Sequence, residues 1–256
     1  MDKNFKILML AQNGNGSRIL FNELNKHFYI EKVIVEKSVE KKEIIKKRVR
    51  KLGYMKVFGQ ILFMIFAAFL RKMSSNRIKR LLNDLELSAK EIPNDIVVNV
   101  SSINSNIVKK MIEECKPDMI LVNGTRIISK DILVSTHKPF INTHVGITPK
   151  YRGVHGGYWA LCNNDKKNCG VTVHLIDEGI DTGEVLYQDT ISITDEDNFV
   201  TYPYLQVAKA IALLKKAISD VQNNELKPKK VNLESKIWTH PTLWDYVKNR
   251  IMYHVK

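Results

Sequence analysis

Acidic side chains are scarce in this sequence: 27 Asp and Glu stand against 40 Lys and Arg, a formal net charge of +13 over 256 residues. That excess favours acidic partners such as nucleotide diphosphates, polyglutamate tails, nucleic acid or an anionic membrane surface, and does not choose among them. Cysteine is scarcer still. Cys115, Cys162 and Cys169 form no Cys-x-x-Cys pair and no metal-ligand spacing. An odd number of thiols points to a reducing compartment. No separate apolar export segment precedes the first strand, so a cytoplasmic chain is the expectation. The longest uncharged apolar run, Val57 to Leu70, has fourteen residues, against the roughly 20 that cross a bilayer. It reads as a helix packed in the core or against a second subunit, a possible homodimer, with peripheral membrane contact as the lesser alternative. Internal repeats and long linkers are also missing. With 44% hydrophobic residues, the chain fits one main domain and a small appendage better than two equal domains.

What is present alternates between strand and helix patterns. Lys6 to Ala11 reads as a strand, Gln12 to Gly16 as a turn, Ser17 to His27 as a helix and Val33 to Val35 as a strand again. A lysine-rich segment, the apolar run and a second basic segment follow. The alternation resumes with strands at Ile96 to Val100, Met119 to Asn123 and Pro139 to Thr143, and a helix at Ser105 to Cys115. Helical crossovers imply parallel pairing, hence an α/β, Rossmann-like, mostly parallel sheet with a short C-terminal extension. The expected division is residues 1–195 as the main domain, with a helical insertion at about 40–88, and residues 196–256 as a C-terminal helix and extension.

Three polar residues fall at predicted strand ends, where open parallel sheets place their ligand crevice: Asn142, His144 and Asp181. A histidine can act as general base, a carboxylate can orient it and offset its charge, and an amide can donate to a developing oxyanion. Acyl transfer to an amine needs those three functions. On the residues alone, an Asn-x-His pair at a strand end serves equally well for loop hydrogen bonding. Glycines around it, at 146, 153, 156, 157, 179 and 183, clear backbone for a ligand. The seven histidines are scattered, so no metal is expected.

Four segments in order carry a resemblance. Pro117-Asp-Met-Ile-Leu-Val-Asn-Gly-Thr-Arg-Ile-Ile128, Asn142-Thr-His144, Pro149-Lys-Tyr-Arg-Gly153 and Asp177-Glu-Gly-Ile-Asp-Thr-Gly183 resemble the folate-dependent formyltransferase family. The resemblance implies a 10-formyltetrahydrofolate co-substrate and a catalytic triad of Asn142, His144 and Asp181. It also implies a pterin pocket between Asn123, Gly124, Thr125, Arg126, Ile127 and Ile128 and the loop carrying Asp177 and Gly179. Arg126 would be useful beside the folate carboxylates.

For the acceptor, the chain looks more like the nucleotide-sugar N-formyltransferases, on its size, on Arg152-Gly-Val-His-Gly-Gly-Tyr-Trp159 and on Trp238-Thr-His-Pro-Thr242. That resemblance implies the amine of a UDP- or dTDP-linked 4-amino-4,6-dideoxy sugar, for polysaccharide or a pseudaminic-acid derivative. Gly14, Asn15 and Ser17 would then approach the diphosphate, and Arg152, His155, Tyr158 and Trp159 the substrate side. Tyr158-Trp159 and His155 serve equally as core and satisfied loop residues, and His174 reads as structural. Methionyl-tRNA or another amine is the alternative acceptor, although nucleic acid is not expected. A basic binding protein without activity is the alternative of a different class.

Overall fold

The computed structural model describes residues 3–256. The chain opens with β1 (Ile7–Gln12), α1 (Asn15–Leu24) and β2 (Ile30–Glu36). Ile7 through Ala11 are buried without alternation, as in a strand covered on both faces. β2 pairs with β1 in parallel, and α1 supplies the crossover, turning Ile19, Leu20 and Leu24 into the core.

Three helices intervene before the sheet resumes: α2 (Lys41–Leu52), α3 (Tyr54–Met73) and α4 (Ser75–Asp84). The apolar run lies inside a 20-residue helix that packs on one face only, which departs from the expected core packing but not from packing against a second subunit. Gln60 and Phe63 are buried; Phe63 meets Phe199 edge-on at 4.7 Å, and Gln60 donates to the His240 carbonyl at 2.8 Å. On the opposite face Met55, Phe58, Ile65 and Phe69 are each more than half exposed, so the run does not form a core helix. α4 is tied down by Arg77, which donates to both carboxylate oxygens of Asp197 at 2.9 and 3.0 Å.

The remaining elements are β3 (Val97–Val100), α5 (Asn106–Cys115), β4 (Met119–Asn123), α6 (Lys130–Leu133) and β5 (Phe140–His144). Then come β6 (Arg152–Gly153), α7 (Gly156–Cys162), β7 (Gly170–Leu175), β8 (Val185–Thr190), α8 (Tyr202–Gln222), β9 (Ile237–Trp238) and α9 (Leu243–Tyr253). Seven strands form one sheet in the order β3-β2-β1-β4-β5-β7-β8. The first five run parallel, giving the mostly parallel α/β sheet expected, while β7 runs antiparallel to both of its neighbours, β5 and β8. The connection from β7 to β8 is too short for a helical crossover, which forces a hairpin. α8 lies on the sheet, with Leu214, Ala217 and Ile218 in the same core as β1. β9 pairs with β6 and so straps the C-terminal tail to the loop after β5. The order reverses between β1 and β4, and the crevice at such a switch point opens beyond the strands' carboxyl ends.

Candidate active site

β5 ends in this crevice and presents Asn142 and His144, two residues apart, to the same side. In the antiparallel register with β7, Asn142 stands opposite His174. Asn142 Nδ2 is 3.1 Å from His174 Nε2, and His174 Nδ1 is 2.7 Å from the Leu175 carbonyl oxygen. A carbonyl can only accept, so Nδ1 carries the hydrogen and Nε2 receives the Asn142 amide. Burial lowers the His174 pKa, in keeping with a neutral ring. The same reasoning fixes His144. Its Nε2 lies 2.6 Å from the Tyr151 carbonyl oxygen and must donate, which leaves Nδ1 facing Asp181 Oδ2 at 3.3 Å. Gly146 allows this approach, since a Cβ there would collide with the Tyr151 carbonyl.

Asp181 is held with equal care. Its backbone is left-handed (φ 49°), a region that Asp tolerates better than most side chains, and its Oδ2 accepts the Gly153 N–H at 2.9 Å. A cleft of about 480 Å³ opens beside it, walled on one side by residues 123–128 and on the other by Asp177, Gly179, Ile180 and Asp181. Gly124, at φ 69°, makes the turn in the first wall. That wall is braced by Asn123, which donates to Ser17 Oγ at 2.9 Å and accepts from Thr143 Oγ1 at 3.1 Å. A second cleft of about 640 Å³, lined by Thr148, Pro149, Lys229 and Lys230, shares Ile176, Asp177 and Asp181 with the first. Asp181 thus lines both spaces. Among the described residues, no group of three or more His, Cys, Asp or Glu is arranged to hold a metal ion.

Several of the expected binding residues are otherwise engaged. Arg126 lines the cleft, but its Nε is 2.5 Å from the buried Glu36 carboxylate, so its charge is already matched. Ser17 is buried and donates to the Gln12 carbonyl at 2.6 Å, which takes its hydroxyl out of reach of a diphosphate. Gly14 borders a small neighbouring pocket, and Asn15 donates to the Tyr204 hydroxyl at 3.3 Å. Tyr158 is a core residue, 2% exposed, whose hydroxyl accepts from Asn249. Trp159 stacks on Trp238 at 4.9 Å and donates to the Thr239 carbonyl. His155 pairs with His240 at 3.0 Å and packs on Phe199. None of these three lines either cleft, and neither does Arg152, whose Nε is buried without a hydrogen-bond partner. The groups that sequence reasoning missed are His174, the Tyr151 carbonyl and the Gly153 amide. Only the strand register and the strap could have exposed them.

The sequence pattern of the formyl transferase family matches residues 64–210. The chain belongs to that family. A curated methionyl-tRNA formyltransferase from Thermodesulfovibrio yellowstonii is 37% identical over 127 residues, 49% of this chain and 41% of the relative. The chain thus spans about two fifths of that formyltransferase's length. Among solved structures, a 4-N formyltransferase from Francisella tularensis aligns with a TM-score of 0.58 at 16% identity, covering 95% of this chain and 78% of that one. A phosphoribosylglycinamide formyltransferase from Anaplasma phagocytophilum aligns at 0.57 and 14%, covering 91% and 97%. At 16% and 14% identity, these likenesses show the fold alone.

Proposed function

We propose that this chain moves the formyl group of 10-formyltetrahydrofolate to the primary amine of a nucleotide-linked 4-amino-4,6-dideoxy sugar, UDP- or dTDP-linked. One observation carries the formyl-transfer reading: His144 Nδ1 faces Asp181 in the cleft that also holds Asn142. Nδ1 is the free basic nitrogen because Nε2 is committed to the Tyr151 carbonyl.

The attacking amine forms a carbon–nitrogen bond to the formyl carbon and loses a proton to His144 Nδ1, whose new charge the Asp181 carboxylate offsets. Asn142 Nδ2 bears two hydrogens and spends one on His174, leaving the other for the formyl oxygen as it gains negative charge. The bond from the formyl carbon to N10 then breaks, and the proton on His144 passes to N10 as tetrahydrofolate leaves. The 123–128 wall, largely through backbone groups and Ile128, together with the adjoining apolar Val122, suits a flat pterin. The second cleft adds Lys229 and Lys230, which suit an acceptor carrying phosphates.

The curated relative favours a second acceptor, methionyl-tRNA, over the matched 127 residues. A tetrahydrofolate-release assay separates the readings, run with 10-formyltetrahydrofolate against UDP- and dTDP-linked 4-amino sugars and charged initiator tRNA. Turnover with one amino sugar is expected. Turnover with the tRNA alone would replace the acceptor, and no turnover with any amine would overturn the enzymatic reading in favour of a non-catalytic binding protein.

A further inference from the structure

The positive charge of this chain is concentrated in one place. Residues 41–80 carry thirteen Lys and Arg and a single acid, Glu43, nearly the whole excess of the molecule. Among the described residues, only Lys47, Arg77 and Arg80 of that set form ion pairs. On α2, Lys42, Lys46, Arg50 and Lys51 are exposed and unmatched. A helix with so large an excess of unmatched basic side chains favours anionic partners.

Directly after it, α3 presents the opposite property. Met55, Phe58, Leu62, Ile65 and Phe69 recur at three- and four-residue steps and form one stripe on the outer face. Four of the five are more than half exposed, and no charged residue interrupts Val57 to Leu70. The stripe continues onto α9, where Trp244 packs so closely over Gly59 that no side chain fits there. Trp244, Val247 and Ile251, at i, i+3 and i+7, are each exposed by 45% or more. An apolar surface of this extent marks an interaction site. By length and composition α3 could cross a bilayer. Its inner face, however, is fastened to the protein through Phe63 and Gln60, so the folded chain can only lay this helix along a surface.

We propose that α2, α3 and the outer face of α9 dock this protein on the surface of an anionic lipid bilayer. α3 and the Trp244 stripe then enter the acyl–headgroup boundary, and α2 lies against the acidic headgroups. The charge selects this occupant. A second copy of the chain would bring two basic segments together across a two-fold axis, like against like. Nucleic acid would satisfy α2 and leave the apolar stripe of α3 in water.

The test is co-sedimentation of the full chain with vesicles of phosphatidylcholine alone or with roughly one-third phosphatidylglycerol added. Binding to the anionic vesicles is expected, about tenfold weaker on neutral ones and weakened by high salt. The double variant Ile65→Asp with Phe69→Asp should lose binding by about tenfold or more, with circular dichroism unchanged because both side chains face outward. Lys46→Glu with Lys51→Glu should lose only the preference for anionic vesicles. Absence of the chain from the anionic pellet at low salt, equal binding to both vesicle types or full binding by the Ile65/Phe69 variant would each overturn the proposal. So would a dimer that this variant converts to monomer while vesicles capture neither form.

Discussion

His144 Nδ1 lies 3.3 Å from Asp181 Oδ2, the same oxygen that accepts the Gly153 amide at 2.9 Å. The carboxylate is therefore oriented by backbone before any substrate arrives, and the histidine nitrogen that faces it is the one able to take a proton. Asp181→Asn keeps the size and removes the charge that offsets an imidazolium. It should lower kcat by about 100-fold with KM for the folate donor little changed, and His144→Ala should lose at least as much. Steady-state tetrahydrofolate release reads both. Full activity in Asp181→Asn would remove the carboxylate from the proton path.

Gly153 holds a position that no other residue fills without strain. Its φ is +91°, and a Cβ would meet the Trp238 carbonyl, its partner in the β6–β9 pairing. Gly153→Ala should cost about 1–3 kcal/mol of stability. Because the Gly153 N–H anchors Asp181, kcat should fall as well, more than the loss of folded protein explains. Thermal unfolding and activity per folded molecule separate the two effects. An unchanged kcat would show that the strap does not position the carboxylate.

The pair of His155 and His240 makes stability depend on pH. Burial pushes His155 down to about 3 and His240 to about 4, both from 6.5, with Arg48 nearby adding to each. Folded, both rings stay neutral at neutral pH, whereas the unfolded chain takes up protons below about 6.5. Between that value and about 4 the unfolded state binds more protons, so stability falls as pH falls. The slope should be on the order of 1 kcal/mol per pH unit for each ring. His240→Gln should flatten this dependence by about half in urea unfolding followed from neutral to mildly acidic pH. A slope identical to that of the parent would mean that His240 titrates normally.

The partly exposed Arg77 and the buried Asp197 form a bidentate pair that fastens α4 to the loop before α8. The arginine holds the Asp197 carboxyl below its usual range despite the opposing effect of burial. Arg77→Met leaves the carboxylate buried with only Thr194 and Thr201 donors, and should cost about 3 kcal/mol. Removing both charges, with Asp197→Asn added, should recover part of that loss. Chemical denaturation of the single and double variants checks the coupling, and a neutral Arg77→Met would show that the pair adds nothing.

Much of the sheet was legible from local pattern. β4 occupies Met119–Asn123, as its apolar run implies, and α5 runs Asn106–Cys115 within one residue of the periodicity. Asn142, His144 and Asp181 could be singled out because each follows a strand signal and sits among glycines. Properties that depend on distant chain were not legible. Composition alone cannot say which side of an apolar helix is covered, so α3 read equally as a core helix or a subunit contact, and its open outer face was not foreseen. Tyr158, Trp159 and His155 sit beside a glycine-rich loop in sequence, yet Asn249, Trp238 and His240 draw them inward from about 80 to 90 residues away. Arg126 looked free until β2 brought Glu36 beneath it.

His174 is the sharpest example, because its part in the site arises wholly from register. It stands across from Asn142 on β7, and its Nε2 accepts one amide hydrogen of that residue while its own Nδ1–H is tied to the Leu175 carbonyl. Asn142 is thereby held with its nitrogen, not its oxygen, toward His174. Without that acceptor the amide is free to turn, and its second hydrogen no longer meets the formyl oxygen reliably. His174→Ala should lower kcat by about tenfold while leaving KM near the parent value, the pattern of an interaction made only in the transition state. His174→Gln offers an acceptor oxygen in place of the ring nitrogen and should restore part of the loss. Burial favours the neutral form of the His174 ring, so the acidic limb of the pH–rate profile should move little in His174→Gln. A shift of that limb in His174→Gln would mean that His174 exchanges protons during turnover, and its role would then be chemical rather than positional.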